Sequence, residues 1–216
     1  MERTTRQMDE WDGQFGRDYT DRNALTLDEM ERMYHTRYGL TRTEMNSSFI
    51  GNLDRDMRIL EVGSNIGNQL LCLKKAGFGH LYGIELQPYA VELSKSRTQG
   101  INIIQGSAFD IPFKDCFFNL VLTSGVLIHI SPTDIGTAID EIYRCARRFV
   151  WGFEYYAEEY TEIRYRGHDN ILWKANFSGV YRERHKDLVL IKEKLYRYTA
   201  DENVDAMFVL EKVAPV

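Results

Sequence analysis

The segment Ile59-Leu60-Glu61-Val62-Gly63-Ser64-Asn65-Ile66-Gly67-Asn68 decides the fold. Its apolar half predicts a buried strand, and its glycines predict a turn that leads into a helix. Gly63 permits a tight turn, and Gly67 lets a helix begin close to a ligand whose charged groups meet free backbone N–H groups. The G-x-x-x-G spacing differs from the G-x-G-x-x-G of dinucleotide-binding proteins, and no phosphate-cradling Gly-Lys-Ser/Thr follows.

An acidic residue ends the next predicted strand, in Tyr82-Gly83-Ile84-Glu85. Glu85 follows Glu61 by 24 residues, and an acid about 20 residues past the turn is placed to accept hydrogen bonds from a ribose diol. The turn and Glu85 together therefore predict a ribose-containing ligand. The alternative is a structural turn beside a solvated carboxylate.

Beyond residue 56, short apolar runs alternate with helical segments, which is typical of a parallel sheet with crossover helices. The predicted strands are Arg58–Val62, Leu81–Ile84, Ile101–Ile104, Leu120–Thr123 and Phe149–Phe153. The predicted helices between them are Asn68–Ala76, Tyr89–Arg97 and a segment from Ser131 to about Ala146.

The end of the chain has a different pattern. Leu188–Tyr198 and Val204–Val213 are long and alternating, and only five residues separate them. A loop that short allows only an antiparallel pair. We therefore predict an α/β fold with a Rossmann-like, mostly parallel sheet that an antiparallel C-terminal hairpin closes, as in one large class of transferases.

The first 54 residues are polar and helical in pattern. Thr26 with Glu29, and Thr41 with Glu44, have capping-box spacing, which predicts helices over about 27–38 and 42–52. We expect one domain over residues 1–216, with an N-terminal helical cap (residues 1–54) on an α/β core (residues 55–216).

Composition narrows the function further. The 27 basic and 32 acidic residues give a net charge of −5, so no basic excess indicates a nucleic-acid or membrane-surface partner. No apolar stretch has membrane-spanning length. Three cysteines, far apart and odd in number, argue against a disulfide framework and favour a reducing cytoplasm.

Four ordered segments resemble the motifs of class I S-adenosylmethionine-dependent methyltransferases: residues 61–67, Glu85, Gly106-Ser107-Ala108-Phe109-Asp110-Ile111-Pro112-Phe113 and Leu122-Thr123-Ser124-Gly125-Val126-Leu127-Ile128-His129. The resemblance covers about residues 57–213 and implies S-adenosylmethionine as the cofactor. Ser107 is a departure, because many members carry an acid there that contacts the adenine.

The resemblance also implies a cofactor-binding set. At the methionine end it comprises Glu61, Gly63, Ser64, Asn65 and Gly67. For the ribose and adenine it comprises Glu85, Leu86, Gln87, Ser107, Ala108 and Phe109, with Ser124 and Gly125 below the cofactor and Tyr19 near its sulfonium.

A narrower likeness spans nearly the whole chain. Residues 15–23, Glu154-Tyr155-Tyr156, residues 162–168 and Leu172-Trp173-Lys174 resemble the family called pseudaminic acid biosynthesis-associated methylases. That family name suggests sugar biosynthesis by association and does not define an acceptor. The likeness implies that residues 15–19 form a lid that excludes water, with the Phe15 ring near the sulfonium, although a hydrophobic anchor is an equal alternative.

Methyl transfer from a sulfonium needs an aligned acceptor more than a nucleophilic side chain, and it needs no metal. A base helps when the acceptor is a hydroxyl group. The candidate catalytic residues are His129, Glu154 and His168. His129 could instead be a structural histidine that caps the loop before Ser131, and Glu154 could instead pair with Arg164.

Cationic and aromatic residues follow the fifth strand. Arginine suits planar anions such as carboxylates, so we predict an anionic small-molecule acceptor. The candidate acceptor-binding residues are Phe15, Tyr155, Tyr156, Arg164, Arg166 and Lys174. The alternative is a solvated charged loop.

The sequence thus predicts a methyltransferase, monomeric or homodimeric, that acts on a sugar acid or sugar nucleotide, with oxygen favoured over nitrogen as the methylated atom. One alternative is another natural-product or amino-acid-like acid as the acceptor. Others are a nicotinamide-dependent oxidoreductase and a non-catalytic subunit that only binds the cofactor.

Overall fold

The computed structural model describes residues 4–213. Its α-helices are α1 (Arg6–Asp12), α2 (Gln14–Arg22), α3 (Leu27–Tyr38), α4 (Arg42–Ile50), α5 (Asn68–Lys75), α6 (Pro88–Arg97), α7 (Ile135–Cys145) and α8 (Phe177–Arg184). Its strands are β1 (Arg58–Val62), β2 (His80–Glu85), β3 (Asn102–Gln105), β4 (Phe118–Ser124), β5 (Ala146–Tyr155), β6 (Thr161–Glu162), β7 (Trp173–Lys174), β8 (Leu188–Arg197) and β9 (Val204–Lys212). One 3₁₀ turn covers Leu127–His129.

Seven strands form one sheet in the order β3-β2-β1-β4-β5-β9-β8. The pairs among β1 to β5 are parallel, whereas β9 runs antiparallel to both β5 and β8. This confirms the predicted fold class, including its closing hairpin. The strand order reverses between β1 and β4, and the crevice at such a point, beyond the carboxyl ends of the strands, is where open α/β sheets bind ligands.

The central strands are buried on both faces, which explains why they are apolar throughout, whereas the edge strand β8 is largely exposed. One face packs against α7 and α8 through a cluster that includes Val121, Ile139 and Phe177. The other packs against α4 and α5 through a cluster that includes Leu70 and Trp151. The sheet is therefore a rigid platform for the residues at its edge.

Both predicted capping boxes are present. The hydroxyl oxygens of Thr26 and Thr41 accept hydrogen bonds from the backbone N–H of Glu29 and Glu44, whose side chains accept in return from the threonine N–H groups. These boxes fix where α3 and α4 begin.

Some elements differ from the sequence prediction. The third crossover helix begins at Ile135, because residues 131–134 form a turn in which the Ser131 carbonyl accepts from the N–H of Asp134 and Ile135. Strand β5 begins three residues earlier than predicted, at Ala146. Helices α1, α2 and α8 and the two-residue strands β6 and β7 were not predicted. Within the described residues, no helix combines the length and the apolar character that a membrane span requires.

Candidate active site

The glycine turn is tied to the end of the neighbouring strand. The backbone N–H groups of Gly63 and Ser64 both donate to the Ile84 carbonyl, each at 2.9 Å. Gly63 has φ +70°, and a Cβ there would lie 2.6 Å from a Val126 methyl group. A residue other than glycine would therefore push β1 and the loop after β4 apart.

Gly67 has a different role from the predicted one. It is the N-cap of α5, with φ +82°, and a Cβ there would lie 2.6 Å from Thr98 and 2.9 Å from Ile103. The close approach is thus to side chains at the end of α6 and on β3, and Gly67 is not in the wall of the cavity described below. Its glycine serves helix packing.

Glu85 is held in place by the backbone. Its carboxylate oxygens accept hydrogen bonds from the N–H of Asn65 at 2.7 Å and of Gln87 at 2.9 Å. Burial raises the pKa of Glu85, and these backbone donors oppose the rise. Each oxygen keeps a second lone pair, so the carboxylate can accept from a diol, as predicted for a ribose.

Two polar groups at the methionine end of the predicted cofactor site lack partners. Glu61 is 3% exposed and Ser64 is 4% exposed. The Glu61 Oε2 and Ser64 Oγ atoms are buried with no hydrogen-bond partner within residues 4–213. Burial raises the pKa of Glu61 to about 8, and the nearby Arg42 guanidinium opposes that shift. Buried polar atoms without partners are costly, so this geometry fits a ligand that donates hydrogen bonds.

Arg42, on α4, is 1% exposed and was not predicted as a site residue. Its guanidinium donates to Gln69 Oε1 at 2.9 Å and to Ser124 Oγ at 3.1 Å, and it lies 4.6 Å from the Phe153 ring centroid. In the described part of the chain, no carboxylate oxygen lies within 4.0 Å of it in an ion pair. A buried guanidinium without a counter-ion favours an anionic ligand group.

These residues surround one cavity of about 340 Å³. The predicted residues that line it are Tyr19, Glu61, Gly63, Ser64, Asn65, Glu85, Leu86, Ser107, Ala108, Phe109, Ser124, Gly125, His129 and Tyr155. Lining residues that were not predicted as site residues include Trp11, Tyr34, Arg37, Tyr38, Arg42, Tyr165 and Asp205. Most of these unpredicted lining residues come from α1, α3, α4 and the C-terminal hairpin, where the sequence contains no recognisable ligand-binding motif.

Nine predicted residues are not among those that line the cavity: Phe15, Gly67, Gln87, Glu154, Tyr156, Arg164, Arg166, His168 and Lys174. Arg164 is exposed and lies 3.6 Å from Asp169, so it does not pair with Glu154. Lys174 Nζ donates to Asn203 Oδ1. The positive charge of the cavity wall comes from Arg37 and Arg42 instead.

Gln87, predicted beside the adenine, contacts the N-terminal helices and does not line the cavity. Its side-chain N–H donates to the backbone carbonyls of Trp11 at 3.0 Å and Gly13 at 3.2 Å, and its oxygen accepts from the Thr20 hydroxyl at 3.3 Å. Gln87 directly follows the two residues Glu85 and Leu86 that do line the cavity. One short segment therefore joins the cofactor site to α1 and α2.

Glu154 lies beneath the loop after β4. It is 1% exposed, and its carboxylate accepts from the Val126 N–H at 3.0 Å. Burial raises the pKa of Glu154 to about 7, while its hydrogen bonds oppose that rise. This placement supports the loop that carries Gly125 and His129, and it does not bring the carboxylate into the cavity wall.

His129 lines the cavity, and within the described residues only its Nδ1 atom is used in a hydrogen bond to the backbone. Its Nδ1 atom lies 2.8 Å from the Ile171 carbonyl oxygen. A carbonyl can only accept, so Nδ1 carries the proton and Nε2 presents a lone pair. Burial lowers the pKa of His129 to about 4, so the ring is neutral near pH 7.

An aromatic cluster joins α1 and α2 to the loop after β4. The Trp11 ring centroid lies 5.1 Å from those of Phe15 and Tyr19 and 4.3 Å from that of His129. The Asn65 side-chain amide donates to the Thr20 hydroxyl at 3.0 Å. Helix α2 therefore packs against the glycine turn, and α1 packs against His129 in the loop after β4.

Comparisons with known proteins agree with this geometry. A family model described as a methyltransferase domain matches residues 60–149. An O-methyltransferase of Aspergillus nomiae is 29% identical in a 99-residue alignment that covers 43% of this chain and 43% of that protein. The chain thus spans less than half the length of this curated relative.

Solved structures share the fold. A Leishmania major S-adenosylmethionine-dependent methyltransferase has a TM-score of 0.71 at 15% identity, over 96% of this chain and 87% of that one. A chain described as a methyltransferase, in complex with the Haloferax volcanii Trm112 methyltransferase activator, has a TM-score of 0.70 at 15% identity, over 97% and 98%. At 15% sequence identity, these similarities show a shared fold and nothing about the acceptor.

The fold, the glycine turn with Glu85 and the match of residues 60–149 to a methyltransferase domain agree with one another, and together they support S-adenosylmethionine as the cofactor. The Glu61 Oε2 and Ser64 Oγ atoms, which lack hydrogen-bond partners in the described residues, fit the donor groups of S-adenosylmethionine. The likeness to the pseudaminic acid biosynthesis-associated methylases stays a prediction.

Proposed function

We propose that the protein transfers a methyl group from S-adenosylmethionine to a small, anionic acceptor such as a sugar acid or sugar nucleotide. One observation carries this proposal: the cavity that contains the cofactor motif also contains the guanidinium group of Arg37, in addition to that of Arg42, which we assign to the cofactor. A cavity with two cations in its wall favours ligands that carry negative charge.

Different residues of the cavity wall would bind different groups of the cofactor. Glu61 would accept from its amino group, Arg42 would pair with its carboxylate, and Glu85 would accept from its ribose hydroxyls. When bound, the cofactor supplies an activated methyl group on a sulfonium. The face of Tyr19, next to the glycine turn, favours a cation.

The acceptor atom is oxygen in this proposal. His129 presents an unprotonated Nε2 atom, which can take the proton that a hydroxyl group releases. The fungal relative is named an O-methyltransferase, which supports the same choice. Trp11, Tyr19 and the rest of the lid exclude water from the transfer.

Several predicted features stay proposals. The residues outside the cavity wall, Phe15, Tyr156, Arg164, Arg166, His168 and Lys174, would meet only a larger acceptor. We further propose one domain, with residues 1–54 as lid and cap, in a monomer or homodimer. A reducing cytoplasm is proposed from the three cysteines, which are free in the structure.

The test is transfer of isotope-labelled methyl from S-adenosylmethionine by the full chain. D-Glucuronate serves as the acid, and D-glucose as its uncharged match. We expect label in the acid and S-adenosylhomocysteine as the second product. Equal label in both sugars would refute an anionic acceptor. Cofactor binding without transfer to any sugar acid or nucleotide would favour the non-catalytic subunit.

A further inference from the structure

Asp205 is a buried carboxylate that the cofactor motifs do not use. It lies on β9, paired with Tyr155 on β5 and Tyr196 on β8, and is 2% exposed. Because β9 is antiparallel to β5, Asp205 near the start of β9 meets the carboxyl end of β5. Asp205 therefore reaches the ligand-bearing edge of the sheet and lines the cavity.

Only half of this carboxylate is satisfied. Its Oδ2 atom accepts hydrogen bonds from the hydroxyl groups of Tyr38 and, at 3.2 Å, Tyr198. Its Oδ1 atom is buried and has no partner among the residues that the structure describes. An unsatisfied buried carboxylate oxygen destabilises a fold, so a ligand donor is the natural partner for Oδ1.

Asp205 lies on the far side of the cavity from the glycine turn. A series of side-chain contacts runs between the two. Arg42 donates a hydrogen bond to Ser124 and stacks on Tyr34, and the Tyr34 ring centroid lies 5.5 Å from that of Tyr38. Tyr38 then donates to Asp205. The predicted cofactor-binding residues include Ser124 and Gly125 but neither Tyr38 nor Asp205, so the Tyr38 side of the cavity is left for the acceptor.

A second charged group accompanies Asp205. Arg37 lines the cavity, and its guanidinium carbon lies 5.1 Å from the Tyr198 ring centroid. No ion pair joins Arg37 to a carboxylate within residues 4–213. Burial raises the pKa of Asp205 to about 6, with the tyrosine donors and Arg37 opposing, so the carboxylate is mostly ionised at pH 7. Among the described residues, a carboxylate with one unpartnered oxygen and a guanidinium without an ion pair thus line the same cavity.

We propose that Asp205 and Arg37 form the acceptor site: Asp205 Oδ1 accepts a hydrogen bond from an acceptor hydroxyl, and Arg37 pairs with an acceptor carboxylate. The acceptor is then a hydroxylated carboxylic acid, which narrows the class given above. This inference rests on the proposed methyltransferase function. Asp205 is a binding residue here, and the transferred methyl group does not pass through it.

The test compares Asp205→Asn with Glu202→Gln, an exposed acid of the same hairpin, in the full chain. The probes are D-glucuronate, D-gluconate and N-acetylneuraminate, each with S-adenosylmethionine. Losing a hydrogen bond to a charged group raises KM about tenfold or more. We expect that rise in Asp205→Asn, with kcat changed less and Glu202→Gln unchanged.

Two further readouts separate binding from structure. Affinity for S-adenosylhomocysteine should be unchanged in Asp205→Asn, and its Tm should equal or exceed that of the wild type, because the asparagine oxygen still accepts from the tyrosines and the buried charge is gone. A lower Tm, an unchanged KM, or no saturable binding of any probe to a wild type that binds S-adenosylhomocysteine overturns the inference. A wild type that does not bind S-adenosylhomocysteine contradicts the proposed function instead.

Discussion

At the scale of single residues, the cavity wall near the glycine turn contains a buried carboxyl group, of Glu61, and a buried guanidinium group, of Arg42. Glu61 is the penultimate residue of β1 and Arg42 begins α4, and neither group has a direct ion-pair partner in the described chain. Glu61 was predictable because it belongs to a local strand–turn motif. Arg42 was not, because its position depends on how α4 packs against the sheet.

The raised pKa of Glu61 makes stability depend on pH. Folded Glu61, with a pKa of about 8, keeps its proton at pH values where the unfolded carboxyl, near 4.5, has lost it. The folded state therefore binds more protons, and the free energy of unfolding falls as pH rises between about 4.5 and 8. One such group contributes at most about 1.4 kcal/mol per pH unit.

Replacing Glu61 with glutamine should remove that contribution. We expect Glu61→Gln to flatten the pH profile of the ligand-free protein, measured by chemical denaturation at pH 5 to 8. Glu154 and Asp205, whose raised pKa values act in the same direction, keep some slope. A Glu61→Gln profile parallel to that of the wild type would show that Glu61 is ionised when buried.

At the scale of elements, the lid is attached to the core by close packing at one glycine. A Cβ on Gly16, in α2, would lie 1.9 Å from the Trp11 carbonyl oxygen and 2.6 Å from Gln87 Nε2. The same Gln87 hydrogen bonds hold α1 against the core. Gly16 therefore controls how closely the lid approaches the cofactor motif.

Gly16→Ala should displace the lid and leave the sheet intact. Overpacking of this kind costs about 1–3 kcal/mol, and a cost borne by the closed lid weakens ligand binding about tenfold per 1.4 kcal/mol. Calorimetry should show weaker S-adenosylhomocysteine binding. Gly79→Ala is the matched control, because a Cβ there has no atom within 4 Å. Equal affinity in both variants would mean that the lid plays no part in binding the cofactor.

The sequence predicted the elements whose signals are local. Strand β1, the helices with capping boxes and the C-terminal hairpin all follow from periodicity or from end signals a few residues apart. Helix α8 lacks a strong periodic face, and the two-residue strands β6 and β7 exist only because they pair with each other. Such elements depend on long-range contacts that a window of sequence does not contain.

At the scale of the whole molecule, the two sides of the cavity differ in how far apart their residues are in the chain. The cofactor motifs lie at successive strand ends, so the order of the strands brings them together. The hydrogen bond between Tyr38 and Asp205 joins residues 167 positions apart. This is why most of the cofactor-binding residues predicted from the resemblance line the cavity, whereas the predicted cations Arg164, Arg166 and Lys174 lie outside its wall.

The most direct test of the account is calorimetric titration of the full chain with S-adenosylhomocysteine. We predict saturable binding at one site per chain. Glu85→Gln should weaken it about tenfold, because one charged acceptor for the ribose is lost. Glu92→Gln, an exposed acid on α6, should bind as the wild type does. A folded wild type that gives no binding heat, or Glu85→Gln binding with wild-type affinity, would contradict the claim that this cavity holds the cofactor through the glycine turn and Glu85.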